Sequence, residues 1–223
     1  MMQPLHGSLV ALVTPMHSNG EIDFGSLETL IEWHIESGTN GIVSVGTTGE
    51  SATLSVEEHL RVIEKTINTV NGRIPVIAGT GANSTHEAIE LTKSALALGA
   101  DYALIVTPYY NKPNQEGLYQ HFERIADKVD IPQIIYNVPS RTACDIMPKT
   151  VMRLSNHENI AGIKEAFDSP DRMSELIKLS ERLSPKKHFS ILSGDDHTFN
   201  FFMAIGAHGV ISVAANVIPK YIS

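Results

Sequence analysis

Tyr102-Ala103-Leu104-Ile105-Val106 runs directly into Thr107-Pro108-Tyr109-Tyr110-Asn111, and Gln115–Val129 follows with the spacing of an amphipathic helix. An unbroken apolar, β-prone run suits a strand buried on both faces, as in a parallel sheet. The hydroxyl- and aromatic-rich stretch behind it reads as the strand's exit. The same unit recurs along the chain. Apolar runs at Leu9–Val13, Gly41–Val45, Pro75–Ala78, Gln133–Tyr136, Ile160–Ile163, Phe189–Leu192 and Gly209–Val213 bring the strands to eight. Amphipathic stretches at Phe24–Ser37, Val56–Val70, Ser84–Leu98 and Asp171–Leu183 alternate with them. Ser55 and Glu58 form a capping-box pattern, and Gly38, Gly99 and Gly206 mark helix stops. Eight alternating units predict an α/β fold, a closed (β/α)8 TIM barrel rather than an open doubly wound sheet. No linker or shift in composition divides the chain, so residues 1–223 are expected to form a single barrel domain.

Composition narrows the function. Of 223 residues 42% are apolar, enough for a sizeable core, and the net charge is −8 without long like-charge runs. That balance argues against a nucleic-acid or anionic-membrane surface. The single cysteine, Cys144, excludes an internal disulfide and reads as a packed small hydrophobe. No basic stretch followed by a long apolar run opens the chain, so no signal peptide is expected and the location reads as cytoplasmic. Gly79-Thr80-Gly81 lacks the third glycine of a dinucleotide fingerprint. Asp195-Asp196-His197 has no second histidine at ligand spacing, so no metal and no cofactor are expected.

Polar residues gather at the strand exits: Thr14, Thr47-Thr48-Gly49-Glu50, Thr80 and Asn83, Thr107 to Asn111, Tyr136 to Arg141, Lys164-Glu165 and Gly194-Asp195-Asp196. In a barrel these exits converge on one rim, where barrel enzymes build their sites. Lys164 is the most informative residue among them. It lies in Asn159-Ile160-Ala161-Gly162-Ile163-Lys164-Glu165-Ala166-Phe167. An ammonium among apolar and small neighbours is costly to bury, and burial drives the pKa down and frees the amine for attack on a carbonyl. The plainer alternative is a lysine at a strand end that reaches solvent along its stem.

Four segments fit one family. Gly46-Thr47-Thr48-Gly49-Glu50-Ser51, Thr107 to Pro113, Tyr136-Asn137-Val138-Pro139-Ser140-Arg141-Thr142 and Gly162-Ile163-Lys164-Glu165-Ala166 resemble dihydrodipicolinate synthases, in order from Leu5 to about Val217. The wider Schiff-base group, which includes N-acetylneuraminate lyase, shares the lysine and the tyrosine. Arg141 and the paired threonines point to the synthases. The resemblance implies that Lys164 forms an imine with pyruvate. The derived enamine would attack L-aspartate 4-semialdehyde, on the route to lysine and diaminopimelate. It implies that Tyr136 donates and accepts protons, with Thr47 linking it to Tyr110, which reaches into a neighbouring subunit's site. Thr48 would hold the pyruvate carboxylate, Ile211 would offer a backbone contact, and Arg141 would clamp the semialdehyde's carboxylate. A homotetramer, a dimer of dimers, is implied as well.

Two departures stand out. The chain ends at Ser223, whereas the family continues with the last barrel helix and further C-terminal helices. The resemblance thus implies a shortened barrel with an uncovered apolar face. The lysine feedback site of many bacterial members is matched at Ser51, Ala52, His59, Asn83, Glu87 and Tyr109, but Val56 stands where a histidine is often found. That swap implies weakened lysine inhibition. Two other readings remain open: a related 2-keto acid aldolase or lyase, and an inactive fragment unable to close its barrel or assemble.

Overall fold

Eight parallel strands close on themselves, each paired with the next and the last with the first. The computed structural model describes residues 4–184 and 186–223; residues 1–3 and 185 of the expected domain lie outside the described residues. The strands are β1 (Gly7–Ala11), β2 (Gly41–Ser44), β3 (Val76–Gly79), β4 (Tyr102–Val106), β5 (Gln133–Asn137), β6 (Ile160–Glu165), β7 (Ser190–Ser193) and β8 (Gly209–Ser212). Between them run α1 (Phe24–Glu36), α2 (Val56–Val70), α3 (Thr85–Leu98), α4 (Gln115–Lys128), α5 (Pro139–Thr142), α6 (Pro148–Leu154), α7 (Pro170–Ser180) and α8 (Phe199–Ala204). A 3-10 turn at Ala214–Asn216 and the short α9 (Pro219–Ile222) follow β8. This is the (β/α)8 barrel expected, and its closure through β1 and β8 removes one ground for reading the chain as a fragment that cannot close. No helix among the described residues is long and apolar enough to cross a membrane.

Strand alternation divides the apolar residues into two shells. Leu9, Val43, Ile77, Leu104, Ile134, Leu192 and Ile211 pack inside the barrel. Val10, Ile42, Ala78, Ile105, Ile135, Ile163 and Ile191 face outward under the helices, where Leu27, Ile63, Leu118, Phe122 and Leu176 meet them. The caps act as expected. Ser55 and Glu58 complete a reciprocal box at the start of α2, and Gly99 ends α3 in the left-handed region.

Three local readings are corrected. The first strand sits two residues earlier than Leu9–Val13, because Asn216 clips the end of β1. Its side chain accepts the Val13 N–H at 3.1 Å and donates to the Ala11 carbonyl at 2.8 Å, so the ladder stops there. The seventh helix starts at Pro170, with Ser169 as its cap, and ends at Ser180 rather than Leu183. The β5–β6 connection holds two helices that periodicity did not reveal. Both are short and begin with proline, whose fixed φ suits a first helical position.

Candidate active site

Tyr136 and Lys164 are direct cross-strand partners on β5 and β6. Both point into the barrel mouth, and the lysine Nζ lies 4.2 Å from the centre of the tyrosine ring. An irregularity in β6 makes this possible. The β5–β6 register slips by one residue between Gln133 and Ile134. Ala161 faces inward, yet Ile163 faces outward, so the alternation has changed phase at Gly162. Without that bulge Lys164 would point to the helices; with it, Lys164 enters the cavity. Gly162 permits the close approach, since a Cβ there would overlap the Ser190 carbonyl oxygen.

Lys164 is 5% exposed. Burial lowers its pKa to about 8; the Asp196 carboxylate pulls it back up and the Arg141 guanidinium pushes it further down. At neutral pH roughly a tenth of the lysine is therefore free amine, against about one part in a few thousand for a hydrated lysine. Burial raises the Tyr136 phenol's pKa, opposed by its interaction with the Thr47 hydroxyl and by the Arg141 charge. An available nucleophile thus stands beside a protonated phenol with a hydroxyl contact, the elements of imine formation with proton relay.

The surrounding cavity, of about 510 Å³, is lined by Thr47, Thr48, Tyr136, Ser140, Arg141, Lys164, Gly194, Asp195 and Asp196, among others. Thr47 and Thr48 lie on the turn leaving β2. Val45 has a φ of 52° and Glu50 one of 61°, so left-handed, strained residues flank that turn. Arg141 is carried by α5 directly behind β5. Gly194 leaves room for the lysine: a Cβ there would sit 3.1 Å from its Cγ and Cε. The adjacent carboxylates each take backbone N–H groups on one oxygen, while the Asp196 Oδ1 is buried without a hydrogen-bond partner among the described residues. Asp195 accepts the His197 N–H at 2.8 Å, and Asp196 accepts those of Val213 and Ala214 at 3.0 and 2.8 Å.

The other expected site residues divide. Ile211 is buried in the inner shell with Tyr136 and Leu192, beneath the cavity rather than on its lining. Tyr110 is 89% exposed with a φ of 72°, and lies outside this chain's cavity. Not every exit hydroxyl serves the rim. Thr14 donates to the Gly49 carbonyl, Thr80 bonds Thr92, and Thr107 bonds Thr142, all buried. Ser51, Ala52, His59, Glu87 and Tyr109 come together around a second hollow of about 450 Å³, joined by Val56. Asn83 lies beside it, donating to the Tyr109 carbonyl at 3.2 Å. The two hollows share Thr47, Val138 and Arg141. His59 has one ring nitrogen held by the Gly79 carbonyl at 2.7 Å, and burial lowers its pKa. A further hollow, about 620 Å³, opens at the opposite end of the barrel, away from the amine and phenol.

Behind the Lys164–Tyr136 pair lies a polar cluster that sequence reading missed. Asn137 and Glu165, the next pair in the β5–β6 register, point outward and are fully buried. Arg172 of α7 and Asp145 join them through ion pairs of 2.8 and 3.0 Å. The four residues are scattered along the chain, and only the barrel brings them together.

A model of the dihydrodipicolinate synthetase family matches residues 4–223. The 4-hydroxy-tetrahydrodipicolinate synthase of Teredinibacter turnerae is 58% identical over 213 residues, covering 96% of this chain and 72% of its own length. That of Pseudomonas aeruginosa is 58% identical over 217 residues, with 97% and 73% covered. The crystal structure of the chloride-inhibited dihydrodipicolinate synthase from Acinetobacter baumannii, complexed with pyruvate, superposes with a TM-score of 0.93. It is 56% identical, with 97% of this chain and 73% of that one covered.

Proposed function

The chain belongs to the dihydrodipicolinate synthetase family, and we propose that it acts as a 4-hydroxy-tetrahydrodipicolinate synthase that condenses pyruvate with L-aspartate 4-semialdehyde on Lys164. It is a lyase of the class I aldolase type. The observation that supports the lysine's role is its burial beside Tyr136, with a pKa lowered to about 8.

The free amine of Lys164 attacks the ketone carbon of pyruvate. The carbinolamine loses water to give an iminium, with Tyr136 supplying the proton that leaves with the hydroxyl. The positive nitrogen acidifies the pyruvate methyl group, and loss of one methyl proton gives the enamine. Its nucleophilic carbon bonds to the aldehyde carbon of the semialdehyde, and the new alkoxide takes a proton. The semialdehyde's amino group then attacks the imine carbon, closes the ring and expels the Lys164 amine. One water leaves per turnover, and no oxidant or reductant is needed. Thr47 steadies the phenol, Thr48 binds the pyruvate carboxylate, and the Ile211 backbone lies beneath it. Arg141 at the rim suits the semialdehyde's carboxylate, since its planar fork can bind both oxygens.

A dimer of dimers, with Tyr110 completing a neighbour's site, is part of the same reading, supported by that side chain's exposure. So is a cytoplasmic location, in keeping with the single buried cysteine. The second hollow suits a feedback amino acid. The direct test is product formation from pyruvate with L-aspartate 4-semialdehyde, set beside cleavage of N-acetylneuraminate. Turnover of the first pair alone is expected; preferential cleavage of the sugar acid would assign the chain to the lyases.

A further inference from the structure

The strands that carry Tyr136 and Lys164 are tied together a second time, on their outer face. The Asn137 Nδ2 donates to Glu165 Oε1 at 2.8 Å and to Asp145 Oδ1 at 2.9 Å, while its Oδ1 accepts the Ile146 N–H at 3.2 Å. Arg172 closes the cluster. Its Nε donates to Glu165 Oε2 at 2.8 Å, its Nη1 to Asp145 Oδ2 at 3.1 Å, and its Nη2 to the Ile146 carbonyl. Glu165 also accepts the Phe167 N–H at 3.0 Å. The guanidinium thus joins the end of β6 to the Asp145–Ile146 loop, which Asn137 ties in turn to the end of β5, directly behind the Lys164–Tyr136 pair.

Stability alone is a poor reason for such a cluster. Buried ion pairs roughly break even against well-packed apolar side chains, because both charges must leave water. What a bidentate guanidinium adds is fixed distance and angle. That matters here because the β5–β6 ladder slips by one residue near its start, so its register is not secured by unbroken pairing. We propose that Arg172, acting through Glu165 and Asp145, is a positioning residue for the condensation: it pins the exits of β5 and β6 and so keeps the Lys164 amine against the Tyr136 ring. The proposal rests on the Schiff-base reading of Lys164.

The readout is the rate at which borohydride traps pyruvate on Lys164, followed against pH and localised by peptide mapping. The charged or titratable groups that face Lys164 are Tyr136 from β5, Arg141 from α5, and Asp195, Asp196 and His197 from the exit of β7. All are kept in every variant. The double variant Glu165→Gln/Arg172→Met removes the fully buried pair together; Asp145, at 35% exposure, stays in reach of water and keeps its bond from Asn137. It is expected to keep its urea midpoint, yet to lose about a hundredfold in trapping rate, the scale of an ångström-sized misplacement. Its pH midpoint should rise from about 8 towards the 10.5 of a hydrated lysine. Arg172→Lys keeps the charge without the fork and should recover only part of the rate. Wild-type rate and midpoint in the double variant would overturn the proposal. So would a lowered urea midpoint with the pH midpoint unmoved, which marks a purely structural role. If the double variant does not fold, Arg172→Lys decides alone, and an unchanged rate there is fatal. Absence of adduct on wild-type Lys164 would instead sink the Schiff-base reading, and the proposal with it.

Discussion

Lys164 is held in a place that favours its chemistry and not its charge. Its folded pKa of about 8 lies below the 10.5 of a hydrated lysine. Below pH 8 both states are protonated, and the fold bears a buried ammonium. Between the two values the unfolded chain binds more protons, so the penalty shrinks as pH rises. At about 1.4 kcal/mol per pH unit of displacement, the penalty at neutral pH is on the order of 3 kcal/mol. Lys164→Met should therefore be inactive but more stable than wild type at pH 7, by up to that amount, with the gain fading between pH 8 and 10.5. Urea unfolding at pH 7 and at pH 10 measures it. Equal stability at pH 7 would mean that the lysine is hydrated.

At the scale of elements, β6 decides which way that lysine points. The phase change at Gly162 leaves no space for a side chain against Ser190 of β7. Gly162→Ala should push the strands apart, lowering stability by about 1–3 kcal/mol as overpacked cores do. It should also slow pyruvate trapping on Lys164 in the folded fraction. Normal trapping in a folded Gly162→Ala protein would show that the bulge does not aim the lysine.

The eight apolar runs made the strands readable in the sequence, and the capping box fixed the start of α2 to the residue. The inward aim of Lys164 was not readable from alternation. Counted from the inward Ala161, strict period two sends Lys164 outward; only the motif resemblance carried the assignment. The Asn137, Asp145, Glu165 and Arg172 cluster was hidden for another reason. Its members lie up to 35 positions apart, and no local pattern links a loop aspartate to a helix arginine. Helices α5 and α6 are too short for periodicity to register.

Helix α2 also carries the residue that distinguishes the second hollow. Val56 is 57% exposed at its edge, while His59, one turn on, is buried and tied to β3. A valine there offers amino-acid ligands no hydrogen bond, and each one missing removes roughly 0.5–1.5 kcal/mol. Lysine should therefore inhibit weakly, and Val56→His should strengthen inhibition by about two- to tenfold. Lysine titrations of both proteins test this; tight inhibition unaltered by the substitution would contradict it.

The barrel brings the Lys164 amine and the Tyr136 phenol into the same cavity, but leaves Tyr110 exposed outside it. If that tyrosine completes a neighbour's site, two inactive variants should rescue one another. Lys164→Arg mixed with Tyr110→Phe during refolding should regain up to about a quarter of wild-type activity, since hybrid dimers contain one intact site. Full activity of Tyr110→Phe by itself, or no recovery on mixing, would argue for a site complete within one chain.

All of this depends on one covalent bond. Incubation with pyruvate, borohydride reduction and peptide mass mapping locate it directly. A single N-carboxyethyl group on Lys164, absent in Lys164→Arg because a guanidinium stays protonated, is the expected result. An unmodified Lys164, or the same group on another lysine, would contradict the mechanism.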